Sequence, residues 1–153
     1  MHYSLTGKRV FVAGHRGMVG SAVCRRLESE QAEVLTAPRK ELDLRNTEAV
    51  LNWMQKARPH AIIMAAAQVG GIYANSKYPV EFLQYNLMIQ NAVISAAHNT
   101  DVQRLLFLGS SCIYPRMAKQ PMQEDALLTG ALEPTNEPYA IAKIAGIKLV
   151  EAY

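Results

Sequence analysis

Residues 8–20, KRVFVAGHRGMVG, run a short β-rich apolar stretch straight into Gly14, Gly17 and Gly20 at the head of a segment with helical period. This juncture constrains the chain more than any other feature. A tight turn from a buried strand into a helix needs glycine wherever a side chain would collide, and it leaves free N–H groups at the helix start, where an anion is stabilised. The alternation then repeats. β-type runs begin at Lys8 (KRVFVA), Glu33 (EVLT), His60 (HAIIMAA) and Arg104 (RLLFLG), and the period between them predicts helices over 18–29, 47–58 and 79–99. Strands alternating with helices make βαβ units. The expected fold class is therefore α/β, a doubly wound parallel sheet.

Local signals set the boundaries. Asn46 suits an N-cap for the second helix and Pro59 ends it. In the third helix Phe82, Tyr85, Ile89, Ala92, Val93 and Ala96 share one face. Two segments read as long loops, QVGGIYANSKYP after the third strand and the proline-rich stretch from Pro115 to Pro138. Such loops at the carboxyl ends of parallel strands are where α/β proteins place ligand chemistry. A last helix starts with Pro138 in its first turn, and no Gly or Pro closes GIKLVEAY, so the sequence reads as cut within a longer chain.

Composition narrows the classes. At 153 residues, 50% hydrophobic, residues 1–153 are expected to form one domain around one core. The net charge of +3 comes from dispersed Lys and Arg, which argues against a nucleic-acid partner. Cys24 and Cys112 have neither CxxC spacing nor a neighbouring His pair, so no disulfide framework and no metal site is expected. With no leader-like start and no 18-residue apolar run, the expected location is the cytoplasm, without a membrane partner.

The glycine turn predicts a dinucleotide pyrophosphate site: Gly14 for the turn, Gly17 for backbone approach, Gly20 for close helix–strand packing. About 20 residues on, an acid would accept from the ribose 2′-OH of NAD. This chain has TAPRKE there, with Arg39 in the acid's place and Arg16 inside the glycine turn. A guanidinium fork matches a dianionic phosphate, which favours NADP; two solvated surface arginines would look the same in sequence. Asp43 could reach the adenine.

At the other end, Tyr139 and Lys143 stand four apart on one helical face. A cation one turn away is expected to lower the tyrosine pKa from about 10 and let the pair exchange a proton with a carbonyl or hydroxyl. Ser110, Ser111 and Cys112 follow the fourth strand. The serines can donate to a substrate oxygen or simply cap a turn, and the thiol can be mere packing.

Together, the three glycines, LGSSCIYP and EPYAIAK resemble the extended short-chain dehydrogenase/reductase family. The blocks AGHRGMVGSA, AAAQVGGIYAN, GSSCIYPRMAKQPMQED and LEPTNEPYAIAKIAGIKL carry the resemblance over nearly all of 8–153, toward members acting on GDP-sugars. It implies an NADP-binding Rossmann domain that lacks a following substrate domain. It implies a reductase triad of Ser110, Tyr139 and Lys143, with Lys143 also on the nicotinamide ribose, and Cys112 exchanging a proton at C3 and C5 of a 4-keto sugar. Cofactor contacts carry over to Gly14, His15, Arg16, Gly17, Met18, Val19 and Gly20. A second set is Arg39, Lys40, Glu41, Leu42, Asp43 and Leu44, and a third is Leu108, Gly109, Ser110 and Ser111. The implied reaction is 3,5-epimerisation of GDP-4-keto-6-deoxy-D-mannose followed by reduction at C4 by NADPH. The family's acid histidine has no counterpart among His2, His15, His60 and His98. A homodimer through 79–99 and 138–153 is also implied, because the last helix is apolar on several faces. Two other readings stay open: a reductase of another GDP-deoxysugar such as GDP-colitose, and a non-catalytic NADP-binding redox sensor.

Overall fold

The computed structural model describes residues 3–153, so His2 lies outside the described residues. The chain divides into two compact units. One comprises Met1–Ala67, Met88–Leu108 and Tyr153; the other comprises Gln68–Leu87 and Gly109–Ala152.

The first unit carries the sheet. Its strands are β1 (Arg9–Ala13), β2 (Glu33–Leu35), β3 (Ala61–Met64) and β4 (Arg104–Phe107), ordered β2-β1-β3-β4. Every pairing is parallel, with Phe11 opposite Leu35 on one side and Ile62 on the other. Successive side chains of β1 point to opposite faces. Val10 and Val12 pack with Ala61, Val34 and Ile63 against Val23, Cys24 and Leu27 of the helix α1 (Met18–Glu28). From the other face, Phe11 meets Trp53 of α2 (Thr47–Ala57) with ring centroids 4.4 Å apart. Helices thus cover both sides of β1, and the doubly wound architecture expected from the alternation is the one observed. Val10, Phe11 and Val12 are all buried, each worth on the order of 1.5–3 kcal/mol.

Helix ends follow local chemistry. The Asn46 side chain accepts from the Ala49 N–H at 3.0 Å, the expected N-cap. At the other end Arg58 turns left-handed (φ 45°) ahead of Pro59, which stops α2 at Ala57. Val50 and Met54, four apart, are fully buried along α2.

In the second unit, part of the expected loop is a short helix, α3 (Ile72–Lys77). Its signal is not periodic hydrophobicity but a buried amide: the Asn75 side chain donates to the carbonyls of Gly70 (3.0 Å) and Gly71 (3.2 Å). Helix α4 (Pro79–Asn99) begins in this unit and continues into the first, with the expected bounds. Its buried face holds Phe82, Ala92, Val93 and Ala96 as expected, but Asn86 and Gln90 are buried as well. Counting apolar residues alone passes over both. A 3-10 turn, Ser111–Ile113, precedes the proline-rich loop, which contains a second at Glu124–Ala126. Helix α5 (Glu137–Ala152) has Pro138 in its first turn and buries Ala140, Ala142, Lys143, Ile144 and Gly146. Among the described residues no helix is long and apolar enough to cross a membrane.

Candidate active site

In the first unit, the turn from β1 into α1 is built by what its glycines lack. Gly14 has φ +85°, and a Cβ there would lie 2.7 Å from the Ala66 backbone. A Cβ on Gly20 would lie 2.2 Å from the Gly14 carbonyl oxygen. Both positions exclude any side chain on steric grounds. Gly17 differs: a Cβ there would meet only the Gly14 oxygen, at an ordinary 3.4 Å. The fold does not require glycine at that point, so the space it leaves open is available to a ligand. Gly17 is also the N-cap of α1 and makes no side-chain cap bond, which suits the helix start to an anion. Arg16, Met18 and Val19 are exposed around it, Met18 to 87%. An exposed thioether at a helix N-terminus is apolar surface left to solvent.

The segment after β2 is mixed. Arg39, Lys40 and Glu41 are exposed, whereas Leu42 is 3% exposed and belongs to the core. The Leu42 side chain is therefore occupied by packing rather than offered to a ligand. Asp43 is tied to Arg45, whose Nη2 lies 2.6 Å from Oδ2 and whose backbone N–H donates to Oδ1 at 3.0 Å. The Arg45 hydrogen bond, with a smaller contribution from Arg39, holds the Asp43 carboxyl at about 2. An Asp43 so engaged has less freedom to receive an adenine amino group than its sequence position suggests.

The chemistry-bearing residues gather in the second unit. Ser110 caps the 3-10 turn, and that turn brings its Oγ to 3.1 Å from the Cys112 Sγ. The capping reading of Ser110 is thus the one observed. Ser110 also lies near enough to Tyr139 to favour its ionised form. On α5, Lys143 lies on the same face as Tyr139, its Nζ 5.9 Å from the ring centroid. Phe82 meets Tyr139 edge to face with centroids 6.4 Å apart, which fixes the ring plane. Gly109 packs against Ile113 and Ile147, and Ser111 is exposed.

The electrostatics reverse one expectation. Tyr139 is not lowered by Lys143; burial pushes it up from 10.0, the Cys112 charge adds to that, and nearby Ser110 opposes it. Lys143, 4% exposed, is pushed down from 10.5 by burial, with Cys112 opposing. Desolvation penalises the charged form of both groups. Tyr139 is consequently held protonated across the neutral range, the form that can give a proton to an alkoxide forming beside it.

Asn86 is a residue that sequence reasoning missed. Its amide accepts from the Gln68 N–H (2.8 Å) and donates to the carbonyls of Gln68 (3.0 Å) and Phe82 (2.7 Å), pinning the chain just after β3. The available signal was an amide four residues after Phe82, where the helical period calls for an apolar side chain. Two of the histidines play structural parts: His60 Nδ1 accepts from the Arg9 N–H at 2.9 Å, and His98 stacks on Tyr153 at 4.4 Å.

A four-stranded parallel sheet with a glycine turn between β1 and α1, together with a Ser/Tyr/Lys set, defines a Rossmann-type protein of the short-chain dehydrogenase/reductase kind. The model of the NAD dependent epimerase/dehydratase family matches residues 10–153, and the chain belongs to that family. It is 59% identical over 151 residues to GDP-L-fucose synthase of Sinorhizobium fredii (strain NBRC 101917 / NGR234), covering 99% of this chain and 48% of the relative. To GDP-L-fucose synthase of Escherichia coli (strain K12) it is 57% identical, covering 97% and 47%. To GDP-L-colitose synthase of Yersinia pseudotuberculosis the figure is 41%, covering 94% and 46%. Among solved structures, the NADP-bound GDP-mannoheptose C4 reductase MlghC of Campylobacter jejuni superposes with a TM-score of 0.92 at 34% identity, covering 96% of this chain and 47% of that one. The NADP-bound GDP-L-fucose synthetase of Naegleria fowleri gives 0.87 at 28%, covering 99% and 49%. The chain spans about half the length of the curated relatives it matches.

Proposed function

We propose that this chain is the NADP-binding, proton-transferring part of an enzyme that epimerises GDP-4-keto-6-deoxy-D-mannose at C3 and C5 and reduces it at C4 to GDP-L-fucose. The observation that carries the reading is the gathering of Ser110, Cys112, Tyr139 and Lys143 within one unit. A redox sensor has no use for such a set. Identity of 59% to a GDP-L-fucose synthase against 41% to a GDP-L-colitose synthase favours the fucose product over colitose.

The residues divide the work. Gly14 and Gly20 hold the turn closed, the Gly17 N–H donates to the Gly14 carbonyl within it, and the start of α1 presents N–H groups to the pyrophosphate. Arg39 and Arg16 take the 2′-phosphate. NADPH, when bound, supplies the hydride. Lys143 holds the ribose hydroxyls, Cys112 takes and returns the proton at C3 and C5, and Ser110 and Tyr139 hold the C4 oxygen, with Tyr139 protonating it. Residues 1–153 act as one cofactor domain, in the cytoplasm. Two copies pair through α4 and α5, where Met88 (40% exposed) and Ile141 (44% exposed) are uncovered apolar side chains. Sedimentation of a monomer at tens of micromolar would remove the dimer.

A thermal-shift titration with NADPH and NADH in parallel tests the cofactor. A ligand at 100 times its Kd adds about 2.7 kcal/mol, roughly 5–10 °C for a domain of this size. A larger shift with NADPH is expected, and it should shrink to the NADH level in Arg39→Ala. Equal shifts with both nucleotides would sink the NADP assignment.

A further inference from the structure

The loop after β3 carries two adjacent glycines that the fold uses differently. A Cβ on Gly71 would meet nothing within 4 Å. A Cβ on Gly70 would fall 2.9 Å from Phe82 Cζ and 3.0 Å from Ala74 Cβ. Gly70 has no positive φ, so space rather than backbone conformation calls for glycine there. The ring that fills this space is the one that stands edge to face against Tyr139, with centroids 6.4 Å apart. We propose that Gly70 is a positioning residue for Tyr139: by having no side chain it lets Phe82 seat against the loop, and Phe82 so seated sets where the Tyr139 phenol stands. This rests on the proton-donating role given to Tyr139 above and adds to it a residue from another segment of the chain.

Two buried amides hold the loop in place, and this is what carries an effect at Gly70 to the phenol. The Asn75 side chain, on a residue 4% exposed, donates to the carbonyls of Gly70 at 3.0 Å and Gly71 at 3.2 Å. The Asn86 side chain binds both backbone groups of Gln68 and the carbonyl of Phe82. Backbone on either side of position 70 is thereby tied, and Asn86 ties the backbone of Phe82 to the same loop. Loop and helix cannot part without breaking these bonds, so a methyl at 70 is accommodated by the far end of the Phe82 side chain. Phe82 is 2% exposed, and its ring has no solvent to swing into. Close-packed interiors transmit such strain. The ring that receives it is Tyr139, whose O–H must come within hydrogen-bond reach of the C4 oxygen. A misplacement of about 1 Å can cost on the order of 100-fold in rate, the scale of loss expected for reduction in Gly70→Ala.

The test reads the ring itself and needs neither sugar nor cofactor, so it is separable from the functional reading. In the chain isotope-labelled on its tyrosine rings, the seven tyrosine signals are recorded by aromatic proton–carbon NMR, and Tyr139→Phe identifies that of Tyr139. Gly70→Ala is expected to move the Tyr139 signal by more than its linewidth while that of Tyr3, in the first unit, stays in place. Gly71→Ala is expected to move neither. Phe82→Leu removes the end of the ring, and adding Gly70→Ala to it is expected to leave the Tyr139 signal where Phe82→Leu put it. The proposal is overturned if Gly70→Ala leaves the Tyr139 signal unmoved, if Gly71→Ala moves it equally, or if Gly70→Ala moves it as far with Leu at 82 as with Phe. Should Gly70→Ala fail to fold, Gly70→Ala/Phe82→Leu is expected to fold. Failure of that pair beside a folded Phe82→Leu would also overturn the proposal, because something other than the ring then requires glycine at 70. Equal thermal shifts with NADPH and NADH, with the coupling of Gly70 to Phe82 intact, count instead against the functional reading alone.

Discussion

The glycine turn of the first unit and the Ser110/Cys112/Tyr139/Lys143 cluster of the second are both offered to a ligand, yet they are built from opposite materials. The turn is made by absence: two positions where a Cβ would fall 2.2–2.7 Å from backbone, and one where it would not. The cluster is made by presence, with side chains whose burial sets their charge, Lys143 being 4% exposed. Steric exclusion is nearly independent of pH, whereas desolvation acts only on the charged form of a group. The first region should therefore respond to volume and the second to pH.

The largest expected effect is within the turn. Gly20→Ala and Gly14→Ala force a methyl into backbone, and overpacking together with strain at positive φ should cost about 3 kcal/mol or more, lowering Tm by roughly 6–12 °C. Gly17→Ala should cost about 1 kcal/mol or less in the same assay and still abolish the NADPH-induced shift. Comparable Tm losses at all three glycines would show that Gly17 is structural too, and the distinction among them would fall.

Next comes Asn86, which extends the contrast to backbone pinning. Asn86→Ala leaves the N–H and carbonyl of Gln68 without their amide partner, an expected loss of about 2–3 kcal/mol by urea denaturation. Asn86→Asp places a carboxylate against the carbonyls of Gln68 and Phe82. It should lose at least as much at pH 7 and recover part of that as the acid is protonated.

Lys143 sharpens the comparison through pH. Its folded pKa lies below 10.5, so between the two values the unfolded chain binds more protons and stability rises with pH. Lys143→Met lacks that titration. The stability of the native chain relative to Lys143→Met is expected to grow from pH 7 toward 10.5, followed by urea denaturation. Tyr139, raised above 10.0, acts with the opposite sign: its contribution is fully present below pH 10 and is lost above it. A pH-independent difference between native and Lys143→Met would remove desolvation as the cause.

The smallest effect should be Asp43→Asn, and it is the exception, a pH-dependent element in the unit otherwise governed by sterics. The Asp43–Arg45 pair is more than a quarter exposed on both sides, so its removal should cost less than about 1 kcal/mol. With the carboxyl lowered from 3.8 to about 2, the advantage of Asp43 is present above pH 4 and disappears as pH falls through 2. Acid titration of both forms reads it directly.

Much of the fold was legible because its causes are local. The strand starts, the Asn46 cap, the stop at Pro59 and the bounds of α4 follow from period and backbone chemistry within a few residues. The short helix α3 was not legible, because its organising contact is an Asn75 amide on two glycine carbonyls rather than an apolar repeat. Asn86 was passed over for a related reason: its partner Gln68 is 18 positions away.

Of the site, the sequence by itself determined the close approach of Gly20 to the Gly14 carbonyl and the placing of Tyr139 and Lys143 on one helical face, because both act over a few bonds of the chain. The exclusion at Gly14 is against Ala66 and is supplied by the fold. The tertiary structure alone decided that burial keeps Tyr139 protonated, that Leu42 is core, and that Ser110 and Cys112, in contact with each other, stand near Tyr139. Desolvation depends on which parts of the chain fold over a group, and segments as distant as Phe82 and Ser110 both close on Tyr139. No local reading of EPYAIAK contains them.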